Sequence, residues 1–205
     1  MLCAMSHAEP TCEQLGALAE IQTAVVFRDQ MPRAHADGNV RALVIRDVVS
    51  SAPVDWWALP RITVDAKHQL RCLQPGDVVI PSRGDHYKAR LYEGPAREVF
   101  PMGYLTAIRP GPTLLPAYLA WFLNLGRTQA GIPNLLTGSN IKALTKAALS
   151  ELQIELPDLV CQAQIAALYA TTERVAQVRL RLNQLDLLEM THVTQQLLQQ
   201  AVAHA

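Results

Sequence analysis

From Leu159 to Ala203 the chain contains neither glycine nor proline: LVCQAQIAALYATTERVAQVRLRLNQLDLLEMTHVTQQLLQQAVA. A run free of both breakers and dominated by strong helix formers reads as one uninterrupted α-helix. At 1.5 Å per residue such a helix is about 60 Å long, more than a small domain is wide, so it is expected to project. Its apolar positions Ile165, Leu168, Val175, Val178, Leu182, Leu185 and Leu188 recur at threes and fours, and Leu180, Leu187, Leu197 and Leu198 widen the stripe. Burying each leucine would contribute on the order of 1.5–3 kcal/mol, so a partner helix is expected to cover them. A homodimer supplies one.

The rest of the chain is patterned differently. Its 205 residues, half of them hydrophobic, suit one globular domain with an appendage, and we place the boundary between residues 1–157 and the helix of residues 158–205. From Arg41 to Arg109 short β-branched runs, RALVIRDVV, PRITVD, DVVIP, ARLYEG and GYLTAIRP, alternate with Pro, Gly and Asp. That pattern predicts a twisted, largely antiparallel sheet. The stretch CEQLGALAEIQTAVVF mixes both periods and fixes no element, whereas RDQMPRAHADGNV reads as a loop with a turn at Asp37-Gly38-Asn39. Beyond the sheet, LLPAYLAWFLN puts Leu115, Tyr118, Leu119 and Phe122 on one helical face. GRTQAGIPNLLTGS reads as a loop, Ser139 or Asn140 can cap a helix over IKALTKAALSE, and LQIELP reads as a strand closed by Pro157. The predicted fold class is therefore α+β: a β-rich domain with short helices, followed by one long coiled-coil helix.

Composition narrows function. The 18 Lys and Arg balance the 18 Asp and Glu, which argues against indiscriminate adhesion to nucleic acid or membrane and requires any anion site to be local. Cys3, Cys12, Cys72 and Cys161 form no C-x-x-C pair and fit thiols of a reducing cytoplasm. The N-terminus lacks a basic and apolar leader, and LLPAYLAWFLNLG is too short for a membrane span. G-x-S-x-G, Walker, G-x-G-x-x-G and H-E-x-x-H motifs are all missing, and the six histidines are scattered, with Asp85-His86 an ordinary loop pair. No intrinsic catalysis, metal or cofactor is expected.

Two places concentrate cations where chemistry could use them. In LQPGDVVIPSRGDHYKARLY a strand breaks open at Ser82-Arg83-Gly84 and leads to Lys88 and Arg90, a glycine and three cations suited to close approach to phosphate oxygens. The second is Gly138-Ser139-Asn140 with Lys142 and Lys146, where amides at a helix start and two lysines would attract an anion. An ordinary helix cap explains that spacing equally well.

The order of the blocks is more specific than any one of them. LGALAEIQTAVVF, LVIRDV, LQPGDVVIPSRG, LLPAYLAWFLN, LLTGSNIKALTKAALSELQIELP and QAQIAALYATTERVAQVRLRLNQL together resemble the specificity (S) subunits of type I restriction–modification systems, over nearly the whole chain. Two positions depart from the family's usual pattern: Ala24 after EIQT, and PDLVCQAQ with Asp158 and Cys161. The resemblance implies a target recognition domain that reads a half-site in double-stranded DNA, and a helix that acts as spacer and docking surface for DNA methyltransferase subunits. A restriction or translocase subunit would join the same complex. Family members carry two domains and two helices, so the chain resembles a half-subunit whose copies pair their helices antiparallel. On that DNA-binding reading, the residues expected to contact DNA are Arg46, Ser82, Arg83, Lys88, Arg90, Ser139, Asn140, Lys142 and Lys146. The competing expectation is an adaptor that assembles partners through its long helix and binds no DNA.

Overall fold

The computed structural model describes residues 11–25, 27, 32–138 and 142–203. By internal contacts the chain forms two compact units, residues 1–166 and residues 167–205. In chain order the first part holds β1 (Thr11–Gln14), α1 (Leu15–Leu18), β2 (Ala19–Thr23), β3 (Val40–Leu43), α2 (Ile45–Val49), β4 (Arg61–Ile62), α3 (Ala66–Gln69) and β5 (Val78–Pro81). Then follow β6 (Arg90–Leu91), β7 (Val99–Pro101), β8 (Leu105–Pro110), α4 (Pro116–Asn124), α5 (Gly126–Leu135), α6 (Lys146–Glu151), β9 (Gln153–Leu156) and α7 (Leu159–Ala203). The α+β class is the one observed.

The main sheet runs β2-β8-β5-β6, antiparallel throughout, with Val78 opposite Ile108 and Pro81 opposite Leu105. Every residue of β5 is buried because the sheet carries a core on each face, which is why VVIP reads as a continuous apolar run. On one face Val78, Ile80 and Ile108 pack with Tyr118, Leu119, Phe122 and Leu123 of α4. On the other, Val79, Leu105 and Ala107 pack with Leu43, Val48, Tyr92 and Val99. A second sheet, β4-β3-β7, pairs β3 and β7 in parallel, and its own apolar cluster includes Val40, Ile62 and Phe100. β1 pairs antiparallel with β9.

Four expectations need correcting. VIRDVV is not strand beyond Leu43: Asp47 Oδ2 accepts the Val44 N–H at 3.1 Å, and the chain turns into α2, which buries Val48. GRTQAGIPNL is helix rather than loop, because Thr128 and Ile132 are buried while Gln129 Nε2 donates to the carbonyls of Tyr87 (2.9 Å) and Leu123 (2.6 Å); Pro133 falls in the last turn. The helix expected over residues 141–151 starts only at Lys146. Thr145 caps it, its hydroxyl accepting the Ala148 N–H at 3.2 Å, while a two-bond backbone pair between Thr137 and Ala143 precedes it. Ser139 and Asn140, expected as caps, lie outside the described residues.

The fourth concerns Ile165, which is half-buried and packs against the core of the first unit instead of joining an exposed stripe. The first turns of α7 are fastened to that core. Asp158 Oδ1 accepts the Cys161 N–H at 2.7 Å, a capping bond, and Gln162 is fully buried. From Leu168 onward the other stripe residues, Val175, Val178, Leu182, Leu185 and Leu188, are exposed, from 44% at Val175 to 71% at Leu168. Among the described residues no helix is long and apolar enough to cross a membrane.

Candidate nucleic-acid interface

The β5–β8 pair ends at Pro81 opposite Leu105, and the backbone just past it is tied in two directions. Ser82 N–H donates to the Tyr104 carbonyl at 2.8 Å, and the Ser82 carbonyl accepts the Leu144 N–H at 2.9 Å. The first bond joins the Ser82-Arg83-Gly84 loop to the turn before β8. The second brings in residues 142–146, so the two basic stretches, some 60 residues apart in sequence, meet at one end of the main sheet. Met102 N–H donates to the Leu43 carbonyl at 2.8 Å, which sets the start of α2, with Arg46, beside the same turn.

Between the start of α2 and the turn before β8 lies an open cleft of about 420 Å³, lined by Phe27, Val44, Ile45, Arg46, Met102, Gly103 and Tyr104. Gly84 and Gly103 have φ of +109° and +70°, in the left-handed region where a side chain is strained, and nothing stands within 4 Å of where a Cβ would sit at either. The backbone at both turns is therefore open to close approach.

The cations differ in what holds them. The Arg46 side chain is 89% exposed, with Asp47 3.8 Å away. Arg83 places its guanidinium carbon 4.2 Å from the centre of the Tyr104 ring, and that tyrosine is 39% exposed. Lys142 and Lys146 are exposed. Lys88 is half-buried between buried Tyr87 and Ala89, in a segment that Asn124 of α4 holds through both backbone bonds of Ala89 (2.9 and 2.8 Å). Arg90 has a structural engagement in place of the expected open grip. Its Nε donates to the Val48 carbonyl at 3.1 Å and its Nη2 to the Ser50 carbonyl at 2.5 Å, neutralising the carbonyl end of α2.

The structure thus brings Arg46, Ser82, Arg83, Lys142 and Lys146 to one end of the sheet and ties Arg90 elsewhere. Among the described residues α6 starts at Lys146, so Lys142 precedes the helix, and Ser139 and Asn140 of the expected anion site lie outside the described residues. Sequence reasoning missed Gly103 and Tyr104. Their signal was MGYL ahead of a strand, a glycine followed by an aromatic that reads as core. Other arginines are matched by acids. Arg109 makes a two-pronged bond at 2.8 Å to buried Asp77, which pushes its already high pKa further up, and Arg41 and Arg127 pair with Glu98 (2.7 Å) and Glu155 (2.6 Å).

The α+β fold, with its long C-terminal helix, is similar to that of solved specificity subunits of type I restriction–modification systems. Among solved structures, the HsdS subunit from Thermoanaerobacter tengcongensis matches with a TM-score of 0.59 at 20% identity, over 87% of this chain and 41% of that one. The type I restriction–modification S subunit from M. genitalium matches at 0.57 and 14% identity, over 84% and 41%. A structure concerned with complex assembly and conformational transition of a type I R-M system matches at 0.55 and 20%, over 87% and 42%. The chain spans about two fifths of each of these chains. No protein-family model matches the chain, and no curated protein matches it significantly by sequence.

Proposed function

We propose that the chain is a non-catalytic specificity component of a type I restriction–modification complex, with one target recognition domain that binds a half-site in duplex DNA. The observation that carries this reading is the Leu144–Ser82 hydrogen bond, which gathers cations from two distant stretches at one end of a rigid sheet. Arg46, Lys142 and Lys146 grip the phosphate backbone, and the loops between them meet base edges. The exposed stripe from Leu168 to Leu188 pairs with the same stripe of a second copy, so a homodimer reads a symmetrical, interrupted site. The assembly docks DNA methyltransferase subunits and, through them, a restriction or translocase subunit. The likeness in fold to S subunits supports each of these roles.

Selection from randomised duplex, with and without co-expressed methyltransferase, tests the proposal. Enrichment of a bipartite motif is the expected outcome; tight complex formation without enrichment would establish the adaptor reading instead. Replacing Lys142 and Lys146 together by alanine should lower affinity for all sequences alike and reduce the logarithmic salt slope by about 0.9 per lost phosphate contact. An unchanged slope would remove these lysines from the interface.

A further inference from the structure

We infer that Arg83 reads a guanine in the recognised site and that Tyr104 is the residue that positions it. The inference rests on the DNA-recognition reading above and names the base contact within it.

The argument begins with how arginines are held in this fold. Those at Arg41, Arg61, Arg71, Arg90, Arg109 and Arg127 are all oriented by hydrogen bonds to carboxylates or backbone carbonyls, which engage part of their donor capacity. Arg83 is held differently. Its guanidinium carbon lies over the Tyr104 ring, 4.2 Å from the ring centre, and among the described residues no carboxylate or carbonyl accepts from it. A cation–π contact engages no N–H group as a hydrogen-bond donor to an oxygen, so the fork is held near the ring and still able to donate. Orientation without engagement is the condition for bidentate reading, since a free arginine would lose side-chain entropy on forming two bonds in one plane.

The surroundings favour a base edge over internal packing. Tyr104 is partly exposed, and its carbonyl accepts the Ser82 N–H at 2.8 Å, which ties the residue bearing the ring to the loop carrying Arg83. Gly84 and Gly103, one beside each partner of the stack, have no atom within 4 Å where a side chain would begin. Among the described residues the backbone beside each partner is therefore open to close approach. Guanine presents two acceptors, O6 and N7, on its major-groove edge at the spacing of the fork, and such a pair discriminates against other bases by roughly 5- to 150-fold. A phosphate also presents two acceptors, but the lysines of residues 142–146 serve as point charges for that purpose, and a phosphate contact carries no base preference.

The test uses the full chain and the selected duplex. Wild type is expected to enrich a site containing a guanine. Arg83→Lys keeps the charge and removes the fork. It should erase the preference at that one position while non-specific affinity stays within about twofold and the salt slope is unchanged. Tyr104→Leu should weaken the same position and no other, and Tyr104→Phe, which retains the ring, should preserve it. Thermal melting identifies any variant that fails to fold, and Arg83→Lys alone then decides. A uniform loss of affinity with a smaller salt slope would make Arg83 a phosphate contact and overturn the inference while leaving DNA recognition standing, as would an unaltered motif. Failure of the wild type to enrich any motif would overturn the recognition reading and this inference with it.

Discussion

Replacing Gln162 by leucine tests how α7 is fastened to the domain before it. The Gln162 amide is fully buried; its oxygen accepts the Leu115 N–H at 2.8 Å, and its nitrogen donates to the carbonyls of Thr113 (3.0 Å) and Pro157 (2.8 Å). Leucine fills the space but pairs with none of the three. A backbone group left buried without a partner costs about 1–3 kcal/mol. Thr113 is exposed, and Leu115 and Pro157 are half-buried, so water recovers part of the loss. The expected destabilisation is then about 2–4 kcal/mol, which for a domain of this size lowers the melting temperature by roughly 4–16 °C. Thermal unfolding of the full chain, followed by circular dichroism at pH 7, gives the shift. Gln162→Glu sharpens the test. One carboxylate oxygen still faces the Leu115 N–H, but the other opposes two carbonyl oxygens, so the buried carboxylate resists ionisation and its folded pKa rises. Protonation at low pH restores a donor; stability should therefore be retained below the usual glutamate range and lost as pH rises through the elevated pKa. A Gln162→Leu protein that melts within about 2 °C of wild type, a shift too small for even one unmade buried bond, would refute the reasoning.

Three further outcomes are expected. Arg90→Ala should lower the melting temperature of the DNA-free protein, because charged hydrogen bonds to Val48 and Ser50, each worth about 1.5–3 kcal/mol, are lost from the end of α2; equal melting curves would return Arg90 to the open surface. Stability should fall above pH 9, since burial pushes the Cys72 thiol from 9.0 up to about 11 and the Tyr118 phenol from 10.0 up to about 12. The unfolded chain releases these protons first, so each group withdraws about 2–3 kcal/mol as pH climbs through its window, and equal urea midpoints at pH 8 and 11 would contradict this. Leu182→Glu with Leu185→Glu should convert a dimer to a monomer in sedimentation at micromolar concentration without loss of helix. A wild-type monomer with its helix intact would remove the pairing of α7.

What could be read in advance divides by the range of the interaction that decides it. α7 follows from the absence of breakers between Leu159 and Ala203, β5 from a short apolar run between turn signals, and α4 from the spacing of Tyr118, Leu119 and Phe122; all are local. Arg83 and Arg90 lie in one stretch and look alike in it. Their fates differ because the carbonyls of Val48 and Ser50 come from some 40 residues away, whereas Arg83 meets the ring of Tyr104 and, among the described residues, no acceptor. The cap of α6 has the same lesson: Ser139, Asn140 and Thr145 are all competent by residue type, and the helix is capped by Thr145, just past the Thr137–Ala143 pair.

The neutral total charge follows the same logic. Asp77, Glu98 and Glu155 pair with Arg109, Arg41 and Arg127. Arg83, Lys142 and Lys146 have no ion pair among the described residues, so positive potential gathers where Leu144 meets Ser82 although the sum over the chain is zero. A count of charges cannot reveal such a site, because it does not say which cations are paired: Arg46 has Asp47 3.8 Å away, whereas Arg83, Lys142 and Lys146 have no such acid among the described residues.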